Sequence, residues 1–299
     1  MSGSCEMNRD LRMALLALVI VWSSSLACAV YNDSCPVANP EVWGQVNVEL
    51  DVRRGFVRQC EAPVGSFIAD AMLNYAYGLK DVDATGVPRN VSPNVAVINA
   101  GAIRERVVCG QGDEKRESIP RGPVTDQDIF QLLPFENTIV VIKMTGDQLK
   151  QILEWGMSSL DLPGDDSEVG HFLQVAGEGK IEVAVDCTGD AQALDSEGKV
   201  ITNPGNRVTS VCVGGGDPCF VPDGTYYVAT LEYLMGTSDL DVPNDGFVSF
   251  HGAGIIENFE THVPLTETVR SWLAVQHGAD YPQIEGRLVF SNCKEVCGD

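Results

Sequence analysis

The residues with the clearest chemical potential cluster around two short segments. An apolar run, Val95 to Ile98, ends in Asn99-Ala100-Gly101-Ala102-Ile103-Arg104, and Leu133-Pro134-Phe135-Glu136-Asn137-Thr138 follows further along. Small residues after a strand allow a tight turn whose backbone can approach a ligand, and an Arg closing that turn offers a planar fork to an anion or carbonyl. A Phe beside a Pro-fixed turn presents a face on which a flat ring can stack. Arg58, three residues before Glu61, adds a second guanidinium. Tyr233 before Leu234, and Asp245 in Asn244-Asp245-Gly246-Phe247, add a ring and an acceptor carboxylate.

Other chemistries find less support. The four His residues stand at 171, 251, 262 and 277, in no zinc-protease or two-metal pattern. A single His more often serves structure than catalysis. No Gly-x-Ser-x-Gly elbow, P-loop or His-Glu-x-x-His occurs. Asp239, Asp241, Asn244 and Asp245 resemble a calcium loop, but Pro243 takes a ligand position and no closing Glu follows, so a solvated loop is expected. Gly214-Gly215-Gly216 does not open a helix; between Cys212 and Cys219 it reads as a disulfide-closed turn rather than a phosphate cradle.

The elements that must position these groups can be traced along the chain. A helix from about Gly65 to Ala76 carries Phe67, Ile68, Ala71, Met72 and Tyr75 on one side. Thr125 with Asp128 has capping-box spacing and starts a short helix that ends before Pro134. A strand from Thr138 to Met144 leads to a second cap, Thr145 with Gln148, and a helix with Leu149, Ile152, Leu153 and Met157 inward. Strands are expected at Ile181–Val185, Val208–Val213, Thr225–Leu231 and Phe247–Phe250, then a helix near Thr266 to Val275 and a last strand. Helices in one half and strands in the other predict an α+β domain with a mixed sheet and packing helices.

Residues 1–29 read as an export signal. Arg9 and Arg12 precede the apolar Met13 to Trp22, and Ala27-Cys28-Ala29 supplies an A-x-A box. The apolar segment is short for a membrane span. The expectation is a soluble, secreted protein with no membrane association after cleavage, ordered as lead-in 30–45, domain 46–290 and Cys-containing tail 291–299. Eight Cys remain beyond the signal, an even number that suits disulfides in an exported chain, with pairing open. Cys212/Cys219 and Cys293/Cys297 are close enough for short local loops. With 20 basic against 42 acidic residues the net charge is −22, which repels nucleic acid and anionic membranes. Such a field also opposes a ligand's phosphates, so an anionic ligand needs local Arg groups.

Taken in order, these segments resemble the C-terminal domain of the 5′-nucleotidases. The resemblance covers about residues 46 to 290. Its carriers are Arg58, Gly65-Ser66-Phe67-Ile68-Ala69-Asp70-Ala71-Met72, Asn99 to Arg104, Leu133-Pro134-Phe135, Phe172-Leu173-Gln174-Val175-Ala176-Gly177, Tyr233-Leu234 and Asn244 to Phe247. Two of the family's turn glycines are Ala here, and Val242-Pro243 replaces small residues before Asp245. The resemblance implies nucleoside recognition: a base held between Phe135 and Tyr233, ribose hydroxyls on Asp245, and polar contacts from Asn99, Arg58 and Arg104.

In that family, ester hydrolysis belongs to a separate N-terminal domain with two metal ions, and none of the four His here fits its Asp-x-His, Gly-Asn-His or Gly-His-x-His signatures. The resemblance therefore implies no catalytic residue, metal or other cofactor in this chain, with divalent metals brought by a metallophosphatase partner. Three readings stay open: a recognition domain that binds a nucleoside or nucleotide without cleaving it, the recognition half of a split or truncated hydrolase, and a disulfide-stabilised scaffold without ligand.

Overall fold

Every residue of Val95–Asn99 is buried, as an unbroken apolar run demands of a strand covered on both faces. In the computed structural model this strand lies inside a five-stranded sheet. The structure describes residues 40–76, 80–82, 88–107, 115–160, 169–215, 217–236, 244–252, 254–275, 277, 280–294 and 297. The proposed signal, Cys35, Cys109, and Asp239, Asp241 and Pro243 of the calcium-like loop lie outside them.

Ten strands carry the architecture: β1 (Val42–Val46), β2 (Val95–Asn99), β3 (Gly122–Thr125), β4 (Thr138–Thr145), β5 (Leu173–Gly177), β6 (Ile181–Asp186), β7 (Val208–Val213), β8 (Thr225–Leu231), β9 (Ile255–Pro264) and β10 (Leu288–Ser291). The large sheet runs β5-β2-β8-β4-β9. Its neighbours are antiparallel except β8 and β2, which pair in parallel through Val228↔Val95 and Ala229↔Ala96. A smaller sheet, β7-β6-β10, is also mixed, with β6 and β10 parallel. The α+β expectation with mixed sheets is met. Strand β1, paired with β3, begins inside the residues read as a lead-in.

Among the described residues six helices pack with these strands: α1 (Arg54–Val57), α2 (Pro63–Ala76), α3 (Asp126–Leu132), α4 (Gly146–Gly156), α5 (Glu232–Met235) and α6 (Leu265–Leu273). Helix α2 starts with Pro63, whose missing N–H costs nothing in a first turn. It lies so close to β5 that a Cβ on Gly65 would sit 2.3 Å from Gln174 Cγ. Its Phe67, Ile68, Ala71 and Met72 are buried, whereas Tyr75 is exposed. The α3 capping box is complete: Asp128 N–H donates to Thr125 Oγ1 at 3.2 Å, and Thr125 N–H donates to Asp128 Oδ2 at 2.8 Å. In α4 the Thr145 hydroxyl accepts from Gln148 N–H at 3.3 Å, but the Gln148 amide donates instead to the Ser249 carbonyl. Leu149, Ile152, Leu153 and Met157 are fully buried, each contributing about 1.5–3 kcal/mol through the area removed from water.

Two expectations are corrected. Phe247–Phe250 is not a strand: it belongs to tight 3-10 turns, Asn244–Gly246 and Val248–His251. Phe247 and Phe250 are both buried, and their spacing of three suits a 3-10 turn better than strand alternation. The tail cysteines do not pair locally. Cys297 bonds to Cys60 and Cys293 to Cys187, fastening the C-terminal tail to the turn between α1 and α2 and to the residue after β6. Cys212 and Cys219 are free thiols without an S–S bond, so the glycine turn between them is not closed by the expected disulfide.

Candidate functional site

Strand β2 delivers Asn99 to the rim of the large sheet, and the 3-10 turn Ala100–Ala102 follows at once. Ala100 N–H donates to Phe172 O at 2.7 Å and Gly101 N–H to Gly170 O at 2.8 Å, which pins the turn to the segment entering β5. A Cβ on Gly101 would lie 3.0 Å from Gly170 Cα and 3.2 Å from Asn99 Nδ2, so this glycine is needed for a close approach. Ala100 and Ala102 are both buried.

Asn99 Nδ2 donates to Asp245 Oδ2 at 2.8 Å, and Tyr233 OH donates to Asp245 Oδ1 at 3.1 Å. Asn99 is buried, and its Oδ1 has no hydrogen-bond partner. The Tyr233 hydroxyl is held above its ordinary pKa by burial first, then by the charge and hydrogen bond of Asp245, against the opposing charge of Arg104. Asn244 Nδ2 donates to Tyr233 O at 2.8 Å, closing α5 onto the Asp245 turn.

Arg104 N–H donates to Leu132 O at 2.9 Å, which brings the Asn99 turn against the end of α3. Its guanidinium therefore lies over the Phe135 ring, 5.2 Å from the centroid. Phe135 is 43% exposed and Tyr233 41% exposed, and each leaves surface open to stacking. Among the described residues no ring contact joins the two, so they do not fill each other's faces.

Asn99, Arg104, Phe135, Tyr233 and Asp245 are thus linked by direct contacts or charge. Arg58 differs in burial: only 7% exposed, it caps the C-terminal end of α1. The start of α1 is tied to the residue after Arg104, with Arg54 N–H donating to Glu105 Oε1 at 3.1 Å. Gln174 fixes the α1–α2 corner, donating to Val57 O at 2.8 Å and Cys60 O at 2.7 Å, and accepting from Ala62 N–H at 3.1 Å.

Sequence reasoning missed Trp155. Its Nε1–H donates to Asp245 O at 2.8 Å, and its indole stacks on His171 with centroids 4.6 Å apart. No motif marks it: the indole is half-buried and packs against the hydrophobic core, as an ordinary helix aromatic would. The other His side chains have local duties: His251 Nε2 donates to Met235 O at 2.6 Å and His277 Nε2 to Trp272 O at 2.9 Å, while exposed His262 lies 3.6 Å from Glu260. Among the described residues no cluster of three or more His, Cys, Asp and Glu side chains could hold a metal ion.

A family profile described as the 5′-nucleotidase C-terminal domain matches residues 42–243. The chain belongs to this family. Among relatives of the 5′-nucleotidase C-terminal domain, the trifunctional nucleotide phosphoesterase of Bacillus subtilis is 30% identical over 211 residues, covering 70% of this chain and 11% of that protein. The bovine 5′-nucleotidase is 26% identical over 262 residues, 85% of this chain and 38% of its own length. Among solved structures, the 5′-nucleotidase precursor of Thermus thermophilus superposes with a TM-score of 0.59 at 27% identity, over 84% of this chain and 40% of that one. The chain therefore spans a minor part of each of these relatives.

Proposed function

We propose that this chain is a secreted recognition domain that binds a nucleoside or nucleotide and does not cleave it unaided. The observation that carries the reading is the convergence of Asn99 and Tyr233 on Asp245, with Arg104 set over Phe135 beside them. An ionised carboxylate offers about four acceptor positions. Asn99 and Tyr233 use one on each oxygen, which leaves a position on each for the two hydroxyls of a ribose. The exposed faces of Phe135 and Tyr233 suit a flat base, at ~1–3 kcal/mol per stacked contact. Arg104 can turn from the ring to a phosphate, where its fork matches the oxygens. The buried, unpartnered Asn99 Oδ1 also supports a polar ligand, since an unmet acceptor costs about 1–3 kcal/mol until a donor reaches it.

Export is supported by the signal-like residues 1–29 and by two long-range disulfides, which persist in oxidising compartments. No described helix is long and apolar enough to cross a membrane.

A second reading is favoured by the greater length of the relatives: the chain serves as the recognition half of a hydrolase whose metal-bearing half is another polypeptide or the rest of a longer one. The described residues of this chain do not fit the two-metal centre that such hydrolysis requires, because His171, His251 and His277 are engaged with carbonyls, a hydroxyl and an indole. No chemical step is assigned to them.

Equilibrium dialysis against adenosine and AMP, with a phosphate-release assay in zinc, magnesium or manganese, tests the proposal. Retained ligand without released phosphate is the expected result. Failure to retain any common nucleoside rejects the binding role, and phosphate release that survives stringent purification rejects the division of labour.

A further inference from the structure

The Asp245 backbone adopts φ 54° and ψ 20°, the left-handed region that Asp enters more readily than most side-chain-bearing residues. Asn99 and Tyr233 act on the side chain. The backbone is held by Trp155, whose Nε1–H donates to the Asp245 carbonyl at 2.8 Å. Gly246, at φ 74°, lets the indole lie against this turn: a Cβ there would fall 2.6 Å from Trp155 Cζ2.

Behind the indole lies the His171 ring, stacked at 4.6 Å with 24° between the planes. Ser158 Oγ–H donates to Trp155 O at 2.7 Å, so its 3.1 Å contact with His171 is one in which the ring's Nε2–H donates to the hydroxyl oxygen. That fixes the tautomer and locks the imidazole against rotation. Burial lowers the His171 pKa to about 4, so the stacked ring is neutral near pH 7. The neighbouring backbone also meets the carboxylate, since a Cβ on Gly170 would stand 3.7 Å from Asp245 Oδ2.

We propose that Trp155 and His171 are positioning residues that set Asp245 for a vicinal diol, so that ribonucleosides are told from deoxy analogues by side chains that do not touch the ligand. This rests on the nucleoside-binding reading above. The group spans three parts of the chain: the end of α4, the entry to β5, and the turn after α5. A merely structural Trp would affect all ligands alike; a positioning one affects the diol alone.

The test compares adenosine with 2′,3′-dideoxyadenosine on the full chain and on Trp155→Phe, which keeps a flat ring and removes the donor. The expected result is about tenfold weaker adenosine binding, the order of one hydrogen bond, with dideoxyadenosine binding unchanged. The Tyr233 hydroxyl, followed by NMR of isotope-labelled tyrosine, should titrate at lower pH in the variant as the Asp245 carboxylate leaves it. An equal loss for both ligands, or none for adenosine, overturns the proposal. If the unaltered chain binds neither ligand, the nucleoside reading falls, and an unmoved Tyr233 titration then overturns the positioning role separately. Should Trp155→Phe fail to fold, His171→Leu carries the same comparison, with the same diol-selective loss expected and an equal loss for both ligands contradicting it.

Discussion

Asn99 and Asp245, separated by 146 positions in the chain, meet through a 2.8 Å hydrogen bond from Nδ2 to Oδ2. The contact joins the end of an inner strand of the large sheet to the turn that follows α5. It makes the Asp245 carboxylate a fixed feature of the sheet rim rather than a mobile loop side chain.

Phe135 separates binding from folding. With 43% of its surface exposed it contributes little to the core, and Phe135→Ala should leave stability within about 0.5 kcal/mol. The same change should weaken adenosine binding by ~1–3 kcal/mol through the lost stacking face. Thermal melts and calorimetry on one preparation check both halves, and a large drop in melting temperature would show that the ring is structural.

Acid should loosen the domain through His171. Burial lowers its folded-state pKa from 6.5 to about 4, so the folded chain resists the proton that the unfolded chain accepts. The stability associated with the neutral ring is fully present above pH 6.5 and is lost as pH falls through the window down to about 4. At 1.36 kcal/mol per pKa unit the limit is about 3 kcal/mol. Urea unfolding between pH 7 and 4 should show this decline, and His171→Phe should flatten it.

Arg287 should be among the costlier single removals. Its guanidinium grips Asp70 in a bidentate pair at 2.7 and 2.8 Å, and the Arg287 side chain is 9% exposed. The Tyr281 hydroxyl also donates to Asp70, at 2.7 Å. Arg287→Met strands a largely buried carboxylate, for which losses of about 3–5 kcal/mol are usual. Denaturant titration provides the figure; a loss below 1 kcal/mol would contradict a buried, paired role.

Peptide mapping without reduction should recover Cys60 linked to Cys297 and Cys187 linked to Cys293. The first closes a sequence separation of 237 residues, so Cys297→Ser should lower stability by roughly 2–5 kcal/mol. Recovery of a Cys293–Cys297 peptide would contradict this tethering of the tail.

Local chemistry was legible in the sequence, and long-range pairing was not. The Thr125–Asp128 box and the inward stripe of α4 depend on neighbours within a turn or two, and both form as their spacing demands. The Phe247–Phe250 segment misled because a short apolar run does not distinguish period two from period three. Pairing of Cys293 with Cys187 follows from β10 lying parallel beside β6, a long-range register that no local spacing reveals. The candidate site divides the same way. Its aromatic, Asn, Arg and Asp members could be named from motifs, whereas Trp155 acts on Asp245 across 90 positions and carries no motif.

Calorimetric titration of adenosine into the full chain, set against the Asp245→Ala variant and with no metal added, tests the central claim most directly. Saturable binding by the unaltered chain, weakened at least about tenfold in the variant as befits lost hydrogen bonds to a charged acceptor, is the predicted result. Equal affinity in the two proteins, or no heat of binding in the first, would contradict it.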